Sequence, residues 1–433
     1  MKRKLLFGPT PPAHRPRQAW KIQARQLNGR VHEVELLPDT PVRELKELLR
    51  DVSVPKEGSA QKLVLVDLIF AMEPLSDDHK TLLEAGLSNG AEVQVLLRTI
   101  EPVECYDGFE YDDDGFRSAP ASDLLFVKIP SDVEELEEDG YGFSFAGCRN
   151  LVKVHLPDTV TRIDKCVFED CISLTEIMIP HSVTLIDREA FRDCSSLKTL
   201  TIPDSVTRIG YRAFRDCKSL KKMTIPKAVS EIEEEAFQDC SSLVELRMNS
   251  IACIGVHAFA GCSSLRTLTI PGSSGAVRME EGAFESCSAL MELTLNNAVT
   301  EIGRFAFSGC SALREVRLPN SVILVGARAF RGCSSLRRVV LPDSIKYLNE
   351  GVFQDCISLA EVTIPNSVTH IGVSAFENCS SLAELMIPNS VVIIAARAFK
   401  GCHSVREVFI PTSVTLGLDI DAFPESATLS FTL

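Results

Sequence analysis

A cysteine that recurs at a nearly fixed interval is the feature that most limits how this chain can fold. Twelve of the fifteen cysteines follow one another in steps of 23 residues, with one step of 22 and one of 25. A phenylalanine stands three residues before each of them, and a leucine three residues after it, except for Val405 in the last unit. Because a short unit recurs at almost constant length, the chain is predicted to form a stacked repeat array. The repeated cysteines are Cys148, Cys171, Cys194, Cys217, Cys240, Cys262, Cys287, Cys310, Cys333, Cys356, Cys379 and Cys402.

The unit at residues 174–196 shows how one coil is built. Apolar residues alternate with outward ones at 177–179, which is the period of a β-strand. Pro180 ends this strand because it has no N–H to donate to a neighbour. Residues 182–184 suit a second short extended piece, and the spacing of Phe191 and Cys194 fits one helical or 3₁₀ turn with both side chains directed inward.

A unit this short cannot bury its own apolar face, so the coils are predicted to cover one another and to merge their apolar positions into one core. Thirteen or fourteen coils at about 4.8 Å per coil would form a rod or arc of roughly 60 Å. A strand at 126–129 without a preceding Phe/Cys turn is predicted to cap one end, beside an acidic loop. Ala422 and Phe423, without a cysteine, and a last strand at 427–433 are predicted to form the other end.

These units resemble BspA-type leucine-rich repeats. The string Ile-Pro-x-Ser-Val-Thr-x-Ile-Gly-x-x-Ala-Phe-x-x-Cys-x-Ser-Leu, which is specific to that class, stands at residues 364–382. The resemblance covers residues 124–433, and it implies a mostly-β leucine-rich-repeat solenoid that binds protein on its strand face. Some BspA-type proteins are surface adhesins, so the resemblance leaves that role open.

The repeated cysteines could in principle form disulfides or hold a metal. Neighbours in the stack would be about 5 Å apart, which is inside disulfide range. Their side chains would all point inward and parallel, however, and the sequence contains no Cys-x-x-Cys spacing of the kind that zinc sites use. They are therefore predicted to fill small apolar positions of the core, and no metal or cofactor is expected. Cys105, Cys166 and Cys253 lie outside the series, and Cys105 is expected to be the most exposed.

Residues 19–98 do not repeat. A hairpin is predicted around Asn28-Gly29, which favours a two-residue turn. An amphipathic helix at 39–49 follows, with Thr40 at its N-cap and Pro41 at its first position. Further strands are predicted at 62–66 and 92–97. The order ββαββ predicts a small α+β domain with the β-grasp fold.

This segment resembles ubiquitin over about 79 residues, in the order of its hairpin, helix and later strands. The region 65–75 is longer than the corresponding region of ubiquitin, and no Gly-Gly follows Arg98, so conjugation to targets is not expected. The apolar recognition patch of ubiquitin would map to Leu27, Val64 and Leu96. The resemblance therefore implies docking to ubiquitin-binding or proteasome-associated proteins, although apolar residues are common at such strand positions.

Charge is distributed unevenly along the chain. The net charge is −14, and residues 101–139 hold fourteen acidic and two basic residues, whereas residues 1–32 hold eight basic and no acidic ones. Overall acidity argues against nonspecific nucleic-acid binding, and no apolar run approaches the ~20 residues of a membrane helix. The chain is thus predicted to comprise a basic disordered arm at 1–18, the β-grasp domain at 19–98, an acidic linker at 99–123 and the solenoid at 124–433.

The first residues lack the 7–15-residue apolar core of a secretory signal, which predicts a cytoplasmic protein. A nuclear location is left open by Lys2-Arg3-Lys4. No P-loop, Gly-x-Ser-x-Gly or His-Glu-x-x-His motif is found, and the eight histidines are scattered. The chain is therefore not expected to be an enzyme.

The outward strand positions remain as candidate binding residues. Glutamates in successive units fall at one such position, with arginines beside them, and the predicted protein-binding residues here are Glu315, Arg337, Arg338, Glu361, Glu384 and Glu407. The alternative interpretation is that opposite charges only make the stack tolerable, since like charges on neighbouring strands destabilise it. The repeat also breaks between 249 and 279, which predicts a bend or a loop.

Three functions follow from these features. The first is an adaptor whose solenoid holds a client while the β-grasp domain docks to ubiquitin-type machinery. The second is a plain scaffold in which the N-terminal domain has no ubiquitin-pathway role. The third is a surface adhesin of the BspA type.

Overall fold

The computed structural model describes residues 20–26, 31–36, 45, 63–70, 73–74, 92–100, 103–104, 110–111, 117–118, 125–129, 131, 133–136, 144–273, 275–414, 417–419 and 421–431. The chain divides into two compact units, Met1–Pro102 and Val103–Leu433. Among the described residues, no helix is long and apolar enough to cross a membrane.

The first unit contains one five-stranded sheet. Its strands are β1 (Trp20–Gln26), β2 (Val31–Leu36), β3 (Leu63–Phe70), β4 (Glu73–Pro74) and β5 (Glu92–Ile100). The sheet order is β2-β1-β5-β3-β4, with β1 parallel to β5 and antiparallel to β2, and β5 antiparallel to β3. Leu45 is helical and fully buried, whereas the rest of the predicted 39–49 helix and the Asn28-Gly29 turn lie outside the described residues.

The second unit is a mostly-β solenoid whose coils contribute strands to two stacks. We call the first stack the first ladder; its strands are β9 (Phe126–Lys128), β11 (Lys153–His155), β13 (Glu176–Met178), β15 (Thr199–Thr201), β17 (Lys222–Ile225), β19 (Glu245–Met248), β21 (Thr267–Ile270), β23 (Glu292–Leu295), β25 (Glu315–Arg317), β27 (Arg338–Val340), β29 (Glu361–Thr363), β32 (Glu407–Ile410) and β33 (Thr428–Phe431).

The second ladder is formed by shorter strands from the same coils. Its members are β10 (Glu135–Leu136), β12 (Arg162–Ile163), β14 (Leu185–Ile186), β16 (Arg208–Ile209), β18 (Glu231–Ile232), β20 (Cys253–Ile254), β22 (Val277–Met279), β24 (Val299–Ile302), β26 (Leu324–Val325), β28 (Tyr347–Leu348), β30 (His370–Ile371) and β31 (Ile393–Ile394). A 3₁₀ helix at Thr412–Val414 follows the last of them.

Pairing within both ladders is parallel and follows the repeat. Glu176 of β13, for example, lies opposite Lys153 on one side and Thr199 on the other, each one repeat away in sequence. Because one coil equals one period, equivalent residues of successive units stand side by side. The stacked solenoid predicted from the repeat is therefore what the second unit forms.

Part of the predicted linker contributes strands. β6 (Val103–Glu104) pairs in parallel with β9 and extends the first sheet by one strand, while β7 (Glu110–Tyr111) and β8 (Arg117–Ser118) form an antiparallel pair. The edge of the first ladder at β9 is thereby covered, which limits pairing with other chains at that edge.

The turn that carries Phe and Cys differs from the predicted helical turn. Two residues of most coils have a positive φ, as at Glu189 (φ 54°) and Asp193 (φ 59°), so the backbone makes successive turns rather than a continuous helix. The second of these positions is held mostly by Asp, Asn or Gly, which accept a left-handed backbone at low cost. Ala190, Arg192 and Cys194 each donate a backbone N–H three residues back, which closes these turns.

The phenylalanines form a continuous column inside the solenoid. Neighbouring rings from Phe145 to Phe423 lie nearly parallel, with centroids 5.1–5.6 Å apart, so the rings are offset rather than directly superposed. Twelve of the largest buried side chains are phenylalanines, and most of them are fully enclosed. This column and the apolar strand residues on either side of it make one core along the whole stack.

The repeated cysteines are buried, as predicted, and from Cys171 onward they do more than fill space. The Cys171 thiol donates to the carbonyl oxygen of Phe145 at 3.1 Å, and that oxygen already accepts the N–H of Cys148. The same thiol-to-carbonyl bond recurs up to Cys402, at 3.1–3.4 Å. Burial raises the pKa of Cys148 to about 11 and of Cys287 and Cys402 to about 12, so these thiols stay protonated at neutral pH.

Candidate functional site

The outward side of the first ladder carries the solenoid residues that the sequence predicted to bind protein. Glu315, Arg338 and Glu361 are the first outward residues of β25, β27 and β29, and the backbone pairs them in this order. Arg337 immediately precedes Arg338 and is also exposed. The strand alternation turns the next residue of each strand inward, so these side chains lie in rows along the outside.

Several of the acidic side chains in this row are neutralised by a neighbour. Lys153 approaches Glu176 at 2.8 Å, Lys222 approaches Glu245 at 3.2 Å, and Arg338 approaches Glu361 at 3.5 Å. These pairs fit the alternative interpretation, in which opposite charges make the stack tolerable. In each pair at least one of the two side chains is exposed to solvent, so each pair contributes on the order of 0–1 kcal/mol to the free energy of unfolding.

Two of the predicted glutamates differ from these. Glu384 and Glu407 are exposed, and no lysine, arginine or histidine nitrogen of the described residues lies within 4 Å of their carboxylates. A β-bridge pairs Met386 with Phe409, so the two glutamates, each two residues earlier, occupy equivalent positions of consecutive coils. The structure thus brings Glu361, Glu384 and Glu407 into one row.

Two large apolar side chains lie beside this row. Met386 is 76% exposed and Phe409 is 49% exposed, both at the second outward position of their coils. Neither residue was among the predicted binding residues, because single outward positions vary from unit to unit. The equivalent positions of β21 and β23 are threonines, and that of β13 is Met178, so a large apolar residue on two consecutive coils is the signal that marks this end.

A shallow groove of about 550 Å³ opens nearer the middle of the same face, lined by Met291, by residues 292–295 of β23 and by Arg314, Glu315 and Arg317 at β25. The ladder is interrupted here, since β23 pairs with β21 and β25 begins a separate sheet. Leu293 and Leu295 are half-buried, although the corresponding residues of β25 are buried. The groove therefore combines apolar walls with charged rims, and it includes the predicted residue Glu315.

A second apolar surface lies on the outside of the second ladder. The Tyr347 and His370 rings contact each other at a centroid distance of 5.1 Å with their planes tilted by 45°, and His370 pairs with Ile393. Ile323 and Val392 are also exposed, at 62% and 47%. In earlier coils the corresponding positions are mainly threonine and charged residues, so only the last coils present this surface.

The three residues predicted to form a ubiquitin-type patch are in the first unit. Leu27 lies outside the described residues. Val64 is in β3 opposite Thr99, and Leu96 is in β5 opposite Asp67. The side chains of these strands also lie outside the described part of the structure.

One group of metal-ligating side chains stands close together among the described residues. Ligand atoms of Cys166, Glu169 and Glu189 lie within 4.8 Å of one another. Arginines already pair with both carboxylates: Arg192 approaches Glu169 at 2.9 Å and Arg212 approaches Glu189 at 3.6 Å. These guanidinium groups supply the positive charge that a cation would bring, so the group is an ion-pair network of the solenoid surface.

The repeats match a known protein family. A model of the BspA type leucine rich repeat region matches residues 121–244, 244–356 and 300–430. The chain belongs to the BspA-type leucine-rich repeat family. No curated protein matches it. This membership agrees with the leucine-rich-repeat solenoid predicted at residues 124–433 and with protein binding as the general role of such folds.

Solved structures of this kind are similar to the chain. A leucine-rich repeat protein from Bacteroides ovatus is 26% identical, and the alignment covers 76% of this chain and 99% of that chain with a TM-score of 0.56. A leucine rich cell surface protein from Faecalibacterium prausnitzii is 27% identical over 69% of this chain and 92% of that chain, with a TM-score of 0.43. A ubiquitin-like domain from Arabidopsis thaliana is 19% identical over 22% of this chain and 95% of that domain, with a TM-score of 0.17, too low to support an argument.

Proposed function

We propose that this protein is a non-catalytic scaffold whose first-ladder face binds a protein partner. The groove between β23 and β25 supports this most directly, because half-buried leucines and charged side chains meet there in an opening of about 550 Å³. Apolar surface surrounded by polar groups is typical of interaction sites. Family membership supports the same role.

The test is partner capture by the full-length chain with proximity labelling in cells of origin, compared between wild type and Glu292→Lys/Glu315→Lys. The control is Glu231→Lys/Glu234→Lys, which makes the same charge change on the side of the second ladder. We expect the groove variant to lose its main partners and the control to keep them. Identical partner sets for the groove variant and wild type would refute binding at this groove.

An adaptor role for the N-terminal unit is the second proposal. The strand order β2-β1-β5-β3-β4, with parallel β1 and β5, supports a β-grasp fold, and the resemblance to ubiquitin supports docking to ubiquitin-binding or proteasome-associated proteins. Charged substitutions at Leu27, Val64 and Leu96 in the full chain should remove such partners. Unchanged partners would favour the plain scaffold.

We propose a cytoplasmic location, with the nucleus as the alternative. Cell fractionation tests it together with the remaining alternative, a BspA-type surface adhesin. An adhesin would be recovered at the cell surface or outside the cell, whereas an adaptor or scaffold would stay in the cytoplasmic or nuclear fraction.

A further inference from the structure

The last coils of the first ladder carry two negative charges, on Glu384 and Glu407, that no ion pair among the described residues balances. Glu361, Glu384 and Glu407 occupy one row at a spacing of about 4.8 Å, which is unfavourable for like charges on neighbouring strands. Arg338 pairs with Glu361. Arg406 precedes Glu407 in sequence, yet no cationic nitrogen of the described residues is within 4 Å of Glu384 or Glu407.

Earlier coils solve the same problem internally. Glu176 and Glu245 occupy equivalent positions, and each has a lysine from the preceding coil at 2.8 or 3.2 Å. At the positions that correspond to these lysines, one coil before Glu384 and Glu407, the chain has Glu361 and Glu384, which add negative charge instead of balancing it. Two adjacent carboxylates without an ion pair among the described residues therefore stand at this end of the face.

The apolar side chains next to this row make it more than an acidic surface. Met386 and Phe409 pair across adjacent coils and expose 76% and 49% of their surface directly beside the carboxylates. An acidic row next to an exposed apolar pair is complementary to a segment that carries lysine or arginine together with a large apolar side chain. Burying Met386 and Phe409 would remove apolar area from water, and the basic groups would relieve the repulsion.

We propose that this surface, defined by Glu361, Glu384, Glu407, Met386 and Phe409, binds a basic and apolar segment of a partner protein. This rests on the proposed protein-binding function of the face and names the chemistry of the partner. Coulombic attraction brings the segment to the surface, and rising salt weakens it by screening the exposed charges. The apolar contact holds the segment at Met386 and Phe409.

The probe is a fluorescein-labelled peptide, Gly-Lys-Phe-Lys-Leu-Lys-Gly, titrated with the full-length protein and followed by fluorescence anisotropy. The control peptide has glutamate in place of each lysine. We expect the lysine peptide to bind with an affinity that falls as salt rises, and the glutamate peptide not to bind. Equal binding of both peptides, or no binding of the lysine peptide, would overturn the proposal.

Three variants locate the binding. Glu384→Gln/Glu407→Gln should weaken the lysine peptide by about tenfold through loss of two charge contacts, and Met386→Ser/Phe409→Ser should weaken it by a similar factor through loss of apolar contact. Glu176→Gln/Glu245→Gln removes the same net charge from paired positions and should stay within about twofold of wild type. Equal weakening by all three variants would mean nonspecific attraction to an acidic protein and would overturn the proposal.

The peptide titration and the partner capture together show whether this inference and the proposed function fail separately. If the lysine peptide does not bind while Glu292→Lys/Glu315→Lys still removes captured partners, this inference fails and binding at the face stands. If neither the peptide nor any partner depends on the face, both fail.

Discussion

The two ends of the solenoid share one core and differ in their surfaces. We compare the N-terminal coils, residues 144–254, with the C-terminal coils, residues 315–431. The phenylalanine column, the thiol-to-carbonyl bonds and the buried strand residues are the same in both. In the N-terminal coils, Arg192 and Arg212 connect glutamates of neighbouring coils. In the C-terminal coils, Arg328 likewise pairs with Glu350. Many large apolar side chains are exposed there on both ladders, however, whereas Met178 and Val244 are the exposed large apolar residues of the N-terminal coils.

This difference separates what folds the chain from what it presents to partners. Inward positions must fit the coils above and below, so packing holds them to Phe, Cys, Leu, Ile and Val. Outward positions contact solvent and their nearest neighbours only, which allows each end to carry its own surface. The following predictions use matched changes at both ends.

Raising the pH should affect both ends alike and most strongly. Burial raises the pKa of Cys148 from 9.0 to about 11, and that of Cys402 to about 12. The thiols are therefore protonated in the folded chain at a pH where the unfolded chain has begun to ionise. Their contribution to stability is fully present below pH 9 and is lost as the pH rises through 11–12. Each tenfold difference in proton affinity between the folded and unfolded chain corresponds to about 1.4 kcal/mol per thiol.

Circular dichroism and thiolate absorbance, followed together from neutral to alkaline pH, test this prediction. In a variant with Cys105→Ser, Cys166→Ser and Cys253→Ser, which keeps only the repeated cysteines, thiolate should appear only as the coils unfold. Thiolate that forms near pH 9 in that variant while it remains folded would contradict the burial of these groups.

Removing one ring from the phenylalanine column should destabilise either end by the same amount. Phe237→Ala and Phe353→Ala each empty a fully buried site and should lower the free energy of unfolding by about 3–5 kcal/mol. Urea unfolding measures this, with Met178→Ala as the control, since Met178 is 84% exposed. A loss below about 1 kcal/mol at either phenylalanine would show that the column is not continuous there.

Lowering the pH should change the effect of a charge substitution on stability more in the N-terminal coils than in the C-terminal coils. The hydrogen bond from Arg212 lowers the pKa of Glu235 below its ordinary value of 4.5. The contribution of this pair is therefore present above pH 4.5 and is lost as the pH falls through the lower folded value. Arg212→Met should cost about 1 kcal/mol at pH 7 and nothing at strongly acidic pH.

The matched C-terminal change is Glu407→Gln. Because Glu407 has no ion-pair partner among the described residues and stands beside Glu384, its replacement should cost no stability at either pH, and at pH 7 it should raise the free energy of unfolding by less than about 0.5 kcal/mol through loss of like-charge repulsion. Urea titrations at the two pH values measure both variants. An equal cost for the two substitutions at neutral pH would remove the distinction between paired and unpaired carboxylates.

A small effect on stability is expected at the exposed apolar pair. Met386→Ser should change the free energy of unfolding by less than about 0.5 kcal/mol, because Met386 is 76% exposed, and Phe409→Ser should lower it by at most about 1 kcal/mol, because half of the Phe409 surface is in solvent. Thermal unfolding of the two variants checks this. A loss above about 1 kcal/mol would mean that the side chains support the fold and are not held for a partner.

Much of the structure of the second unit could be predicted because one repeat of the sequence corresponds to one coil of the solenoid. The strand at 177–179, the end of that strand at Pro180 and the burial of Phe191 and Cys194 all follow from residue spacing within one unit. The positive φ at Glu189 and Asp193 could not be predicted in this way, because a Phe-x-x-Cys spacing is compatible with both a helical turn and a turn that places two residues in the left-handed region.

Which charges face one another follows from the period, but which of them make contact does not. Lys222 stands 23 residues before Glu245 and Glu361 stands 23 residues before Glu384, yet only the folded coils show the Lys222 nitrogen 3.2 Å from the Glu245 carboxylate. Side-chain reach across strands decides this, and it depends on the residue at the matching position of the neighbouring coil. The ubiquitin-type patch stays a prediction, since Leu27 lies outside the described residues.

The amino-acid order alone established the stack, its period, its inward positions and its membership of a repeat family. Each of these depends on local spacing that one unit repeats many times. The folded coils alone established that the thiols bridge adjacent turns, that the groove opens between β23 and β25, and that Glu384 and Glu407 stand unpaired beside Met386 and Phe409. These features depend on atoms from different coils, whose separation is set by stacking and not by distance along the chain.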